Sequence, residues 1–383
     1  MSHFSFKLSS RIIVGDYSLE KLGLEAGQYG KQCFFIIHHA MQASDLVKKI
    51  TEILEHQGLS VLLFINESDV ARSDALEHAL TLAHGACADM VIAAGDAATV
   101  TIGRAVAAIY NETKPLDVLI EDQLCTAEPL PFFEVPTVCY HSFAFAPFIP
   151  LFDVHNKKVH FLKLPHEVCT LCVYDPACYA NTPSHVGTAM LVHSLSDALE
   201  GYIATNHSFF TDTLLLKAIT LLWQALQLDT DDASSDLPRR TLMAEAACLL
   251  AMGLCYSSAG ISSAVAFCCT GRYDTESSDV AALLLPHLVM YAAGSNKDKI
   301  VAIGRLFTPA IETDDSEAIV QAAIEALQKV IERAKLPKYL SELQLNAEQL
   351  RIIAEDVVAI GFMNYIPRPM TNDDVFAWLE AAL

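Results

Sequence analysis

The first 180 residues alternate short apolar runs with stretches of helical periodicity. The runs CFFIIHHA (33–40), LSVLLFI (59–65), DMVIAAG (89–95), LDVLIED (116–122), PTVCYHS (136–142) and CTLCVYD (169–175) read as strands. Several are apolar throughout rather than alternating, the pattern of strands buried on both faces of a parallel sheet. Between them, SDLVKKITEILEHQG and ARSDALEHALTLAHGA carry apolar residues at 3.6-residue spacing, with Gly58 placed to end the first helix. Strand, helix and strand in repetition specify an α/β unit. From Ser184 onward the pattern is helical only: HVGTAMLVHSLSDALEGYIA, TDTLLLKAITLLWQALQL, RRTLMAEAACLLAMGLC, EAIVQAAIEALQKVIERA and NAEQLRIIAEDVVAIGF. The change falls near Asp175, Pro176 and Pro183. The expected organisation is therefore an α/β domain over residues 1–180 and an all-helical domain over 181–383, with an acidic loop, DTDDASSD, at 229–236.

Composition agrees with two compact domains. The chain has 383 residues, 52% of them hydrophobic and 19% charged, which is enough for two buried cores. A formal charge of −21 disfavours nucleic acid and anionic lipid as partners, because polyanions are repelled at long range. The N-terminus lacks a basic segment followed by an apolar core, so no secretory signal is expected. The 26 residues from Ala246 to Gly271 carry no charge, but serines and the glycines Gly253 and Gly260 interrupt them; a buried helix pair is expected there, not a membrane span. Eleven cysteines, an odd number without a signal, point to reduced thiols in the cytoplasm. Cys169 and Cys172 lie in a strand-like run, where positions three apart point to opposite faces, so they read as packed thiols rather than a redox or zinc motif.

The segment Pro183 to Tyr202, PSHVGTAMLVHSLSDALEGY, places His193 and Asp197 four residues apart, on one helix face. An imidazole stacked on a carboxylate suits a divalent metal or a proton transfer. The segment resembles the metal-binding helix of the iron-containing alcohol dehydrogenase family, P-x-x-x-T-A-x-T-G-x-D-A-L-T-H-A-I-E-A-Y. Laid against that pattern without a gap, His193 falls where the family has its Asp ligand and Asp197 where it has its His. Other segments resemble the family in the same order: RIIVGDYSLEKLG its opening strand and turn, YDPACYANTP its D-P-x-L-x-x-x-x-P, AALLLPHLVM its N-A-I-L-L-P-H-V-M, and IPRPMTNDDVFAWLEAAL its terminal N-P-R-P-L-T-x-x-D-I. The resemblance implies a Rossmann-like parallel-sheet domain followed by an all-helical domain. It also implies a homodimer and an NAD(P)-dependent oxidoreductase that uses iron or zinc on a small alcohol or aldehyde.

The resemblance places dinucleotide contacts at Gly95, Asp96, Thr99 and Thr137. In the family a strand delivers G-G-G-S-x-x-D-x-x-K; here ADMVIAAGDAATVTIGR keeps only Gly95, with Asp96, Ala97 and Ala98 after it, Thr101 for the Asp and Arg104 for the Lys. A carboxylate at Asp96 repels a pyrophosphate, and Asp96 also reads as the cap of a helix over 97–109, the simpler of the two roles. The family's P-T-T-A-G-T-G-S-E appears as residues 136–144, with Tyr140 and Phe143 in place of small residues. The Asp that contacts the adenosine ribose falls on His38 or His39, and the P-N-P-T motif on Asp69, Val70, Ala71 and Arg72. For the metal, the two remaining family histidines fall on Ser263 or Val265 and on Ser277, and no histidine occurs from 208 to 286. Neutral hydroxyls are weak ligands for Fe²⁺ or Zn²⁺, and Cys268 or Cys269 is the only substitute nearby. His193 and Asp197 alone read as a relic, a general base with its orienting carboxylate, or an ordinary helix-face pair. The expectation is a divergent member that lacks the usual metal and binds dinucleotide weakly or not at all. The alternatives are a pseudoenzyme with a binding, regulatory or structural role, and an enzyme repurposed around His193 and Asp197.

Overall fold

A computed structural model of the chain describes residues 4–140, 143–164, 168–180, 182–228 and 233–383. His141 and Ser142 of the run 136–142, Asn181, and residues 229–232 of the acidic loop lie outside the described residues. The chain divides into two compact units, Met1–Ala180 and Asn181–Leu383.

In the first unit six strands pair in parallel: β1 (Arg11–Val14), β2 (Gln32–His38), β3 (Ser60–Asn66), β4 (Met90–Gly95), β5 (Phe132–Pro136) and β8 (Cys169–Tyr174). Their spatial order is β1-β8-β5-β4-β2-β3. The central strands are apolar on both sides because both faces are covered. Helices α1 (Leu22–Ala26) and α2 (Asp45–His56) set Leu22, Ala26, Val47, Ile50 and Leu54 against Phe35, Ile37, Ile92 and Val135. On the other face lie α3 (Ser73–Gly85) and α4 (Ala97–Ile109). Gly58 follows α2 with a positive φ of 73°, as its expected place after the helix requires. Asp175 ties the first turn to the last strand: one carboxylate oxygen accepts from the Leu19 amide at 3.0 Å, the other from Ala177 at 2.9 Å.

Three expectations differ from the fold. The run 116–122 is a helix, α5 (Leu116–Asp122), since Leu116, Leu119 and Ile120 also fit helical spacing and Pro115 precedes them. Of the run 136–142, residues 137–140 are not strand; β5 begins at Phe132 and ends at Pro136, with Glu134 buried in its middle, where the carboxylate hid the run from an apolar scan. Cys169 and Cys172 do not face opposite ways. The β5–β8 register pairs Phe132 with Cys169 but Phe133 with Leu171, so an extra residue, Thr170, turns both thiols and Glu134 to one face. Both thiols are buried and packed, and burial first of all, with Cys169 second, pushes the Cys172 thiol far up, so Cys172 stays protonated. The hairpin β6 (Phe148–Asp153) and β7 (Lys158–Lys163) had no distinct signal.

Arg104 sits on α4 wholly buried. Its guanidinium donates to the carbonyls of Phe143, Ala144 (2.9 Å) and Phe148 (2.7 Å), pinning the segment that leads into β6.

In the second unit α6 (Ser184–Ile203) is buried almost all round from Gly187 onward, which explains its weak amphipathic pattern. Around it pack α7 (Phe209–Gln227), α8 (Asp236–Leu254), α9 (Ile261–Tyr273) and α10 (Ser277–Ala293). The remaining helices are α11 (Lys297–Phe307), α12 (Ser316–Arg333), α13 (Ala347–Val358) and α14 (Asn372–Glu380). The uncharged stretch 246–271 is split between α8 and α9, the helix pair expected. Among the described residues one helix, α7, is long and apolar enough to cross a membrane, but half of its apolar window is buried inside the protein.

Replacing Arg104 by Met is expected to cost about 3 kcal/mol or more, because the carbonyls of Phe143, Ala144 and Phe148 lose a charged donor. Urea denaturation of the two proteins measures the difference.

Candidate functional site in the helical unit

Helix α6 presents His193, Asp197 and Glu200 along one face, all buried. Two further elements meet that face. Helix α9 begins at Ile261 after Gly260, and α10 begins at Ser277. The Ser263 hydroxyl lies 2.9 Å from Asp197 Oδ1 and 2.5 Å from Glu200 Oε2. The Ser277 hydroxyl lies 3.4 Å from His193 Nδ1, and His193 Nε2 is 3.7 Å from Asp197 Oδ1. The structure thus brings together His193, Asp197, Ser263 and Ser277. Of the two positions left open for the α9 ligand, Ser263 makes the bonds to α6, while Val265 is a buried residue of the same helix.

Glu200 organises this cluster, and the sequence reading gave it no role. Its carboxylate accepts the amides of Gly260 (2.9 Å), Ser262 (2.5 Å) and Ser263 (3.3 Å). The first turn of α9 has no capping side chain of its own, because its N-cap residue is Gly260. Glu200 supplies that cap from another helix, and its charge lies at the positive end of the α9 dipole. A side chain at 260 is excluded, since a Cβ there would sit 2.9 Å from Glu200 Oε1. A glycine just before an uncapped helix was the one sequence signal available.

Burial decides the protonation states. It lowers the His193 pKa to about 3, so the imidazole is neutral. For Glu200, burial raises the pKa to about 7 against the pull of the Ser263 hydroxyl and the α9 amides, with Asp197 adding a smaller upward push.

These donors do not fit a catalytic iron or zinc. One neutral imidazole, two carboxylates and two hydroxyls meet here, but the Glu200 carboxylate is committed to the amides of α9, and His193, Asp197 and Glu200 do not form a group of three donors within reach of one ion. The hydroxyl of Ser263 is already shared between two carboxylates. Cys268 and Cys269 do not repair the set. Both are buried, burial holds both thiols protonated far above the usual range, and neither forms a donor group with His193 and Asp197. Among the described residues, the one group of three or more such donors within reach of a single ion is His38, His39 and Asp69, in the first unit.

The expected dinucleotide contacts lie at the carboxyl ends of β4 and β5. Gly95 accepts the Thr137 amide at 2.9 Å, so these two adjoin. Asp96 caps α4, its Oδ1 accepting from the Thr99 amide at 3.0 Å, as the simpler reading of that residue holds. Thr99 turns inward, fully buried, and its hydroxyl accepts from Asn66 Nδ2 at 3.2 Å. Gly95 is required by packing alone: a Cβ would lie 2.9 Å from the Thr99 side chain and 3.2 Å from His38 Cβ. Asp96 thus sets a carboxylate at the helix terminus where the resemblance places a pyrophosphate, and like charges repel there. Phe143 is buried inside the first unit against Phe148.

Comparison with known proteins covers nearly the whole chain. A family model described as iron-containing alcohol dehydrogenase matches residues 9–176, and one described as Fe-containing alcohol dehydrogenase family, C-terminal, matches 187–383. Lactaldehyde reductase of Escherichia coli K12 is 23% identical over 332 residues, 86% of each chain. Long-chain-alcohol dehydrogenase 1 of Geobacillus thermodenitrificans is 24% identical over 96% of this chain and 94% of its own. A crystal structure of 1,3-propanediol oxidoreductase superimposes with a TM-score of 0.89 at 20% identity, covering all of both chains.

The Glu200 carboxyl has a pH signature with a definite sign. Its folded pKa of about 7 exceeds the ordinary 4.5, so its contribution to stability is full below pH 4.5 and is lost as pH rises through 7. Across that window the stability of Glu200→Gln relative to wild type is expected to rise by roughly 3 kcal/mol. Chemical denaturation at a series of pH values measures it; a flat difference would show that the carboxyl titrates normally.

Proposed function

Because this chain belongs to the iron-containing alcohol dehydrogenase family, we propose that it is a diverged oxidoreductase relative that no longer performs metal-dependent hydride transfer between an alcohol or aldehyde and NAD(P). Ser263 carries this reading. Its hydroxyl bridges Asp197 and Glu200 where the metal ligands would have to converge, so the cluster is satisfied by hydrogen bonds among its own side chains. Asp96 supports it from the other unit, by occupying the helix terminus that a pyrophosphate would need. The scaffold then serves as a pseudoenzyme in a binding, regulatory or structural role. The family resemblance supports a homodimer, and eleven free thiols support a cytoplasmic location.

The repurposed reading, with His193 as a general base, is weaker. An imidazole whose pKa burial has lowered to about 3 takes a proton poorly near neutral pH, where effective bases have pKa values close to the working pH.

Two outcomes are expected. Exchanging His193 and Asp197 together for Asn leaves the iron and zinc content of the purified chain unchanged; a fall of about one ion per chain in elemental analysis would overturn the reading. Calorimetric titration with NADH or NADPH gives no binding tighter than about 1 mM, and short aldehydes supplied with Fe²⁺ or Zn²⁺ do not oxidise either coenzyme above the protein-free rate. A micromolar dissociation constant or clear turnover would sink it.

A further inference from the structure

His38, His39 and Asp69 stand apart from the cluster around His193, and the reading of that cluster leaves them without a role. His38 ends β2 and is paired in register with Asn66, the last residue of β3. His39 opens the short turn His39–Met41, and Asp69 lies in the loop three residues beyond Asn66. His38 Nε2 is 2.7 Å from Asp69 Oδ1, and the two imidazole rings are 4.2 Å apart between centroids. One donor atom from each of the three residues falls within 4.8 Å of the others. His38 is mostly buried against the sheet, whereas His39 and Asp69 are exposed.

The groups are carried on fixed backbone. Asn66, fully buried, donates from Nδ2 to the Ser68 carbonyl at 2.7 Å and to the Thr99 hydroxyl at 3.2 Å. The Val70 amide donates to the Ser68 hydroxyl at 3.1 Å, closing the loop on either side of Asp69.

We propose that His38, His39 and Asp69 bind a borderline divalent transition metal of the zinc class, with one coordination position left open to solvent. Two imidazoles and a carboxylate are the donor types of a three-ligand zinc site, in which a water or small anion takes the fourth place. Tetrahedral ligands at about 2.0 to 2.1 Å from the ion stand about 3.3 Å from one another. The hydrogen bond between His38 and Asp69 opens slightly to meet that spacing, and the exposed His39 ring closes in. The adjoining β4 keeps Gly95 beside His38, so no side chain from that strand crowds the imidazole. A hard ion such as Mg²⁺ prefers oxygen donors and is not the occupant.

The test is calorimetric titration of the metal-free full chain with zinc chloride. One zinc per chain is expected with a dissociation constant of about 10 µM or tighter. His39→Gln and Asp69→Asn, both at exposed positions, are each expected to raise that constant at least about fivefold while leaving the metal-free melting temperature unchanged. Zinc is expected to raise the melting temperature of the wild type more than that of either variant. A joint exchange of His193 and Asp197 for Asn leaves zinc affinity as it was, which separates this site from the cluster on α6. The proposal is overturned if zinc binds more weakly than about 10 µM, or if either variant binds it within about fivefold of the wild type.

Discussion

A helix that begins on a glycine has no cap of its own, and α9 depends on Glu200 to supply one. The carboxylate reaches across from α6, accepts three amides of the α9 first turn, and sits at the positive end of that helix. This one contact fixes the distance between the two helices, keeps position 260 free of a side chain, and directs the Ser263 hydroxyl onto both carboxylates of α6. Burial in the same cluster keeps the His193 imidazole neutral.

The first unit applies the same logic with different groups. Charges that might have met a ligand are turned to structural use: Asp96 closes its own helix, and Arg104 holds three carbonyls of the segment before β6. Gly95 persists because β4, α4 and His38 approach too closely for a Cβ. Packing by itself is therefore enough to require a glycine at this position.

The sequence made the architecture legible wherever burial alone shaped it. The apolar runs of β2, β4 and β8 are unbroken because both faces are covered, and the helical half is plain from spacing. Legibility failed where one residue carried two signals or where a partner was distant. LDVLIED satisfies strand and helix spacing alike, and the buried Glu134 disguised β5. The alternation rule misplaced Cys169 and Cys172 because a bulge at Thr170 cannot be read from one strand. At the cluster on α6, counting along the chain reached Ser277 and narrowed the other position to Ser263 or Val265, but only the fold shows which of these faces α6. Glu200 and the grouping of His38, His39 and Asp69 depend on contacts between elements far apart in sequence, which no periodicity encodes.

The bridge made by Ser263 also constrains what could replace it. A histidine returning at 263 would offer a metal one nitrogen but would remove the hydroxyl that two buried carboxylates share, and would set a bulky ring against the Glu200 that caps α9. A histidine returning at 277 would meet a neutral imidazole rather than an acidic ligand. Either change therefore acts on hydrogen bonds that other residues of the cluster share. One serine hydroxyl thus couples the two carboxylates of α6 to the first turn of α9, and a change at any one of these groups is felt by the other two.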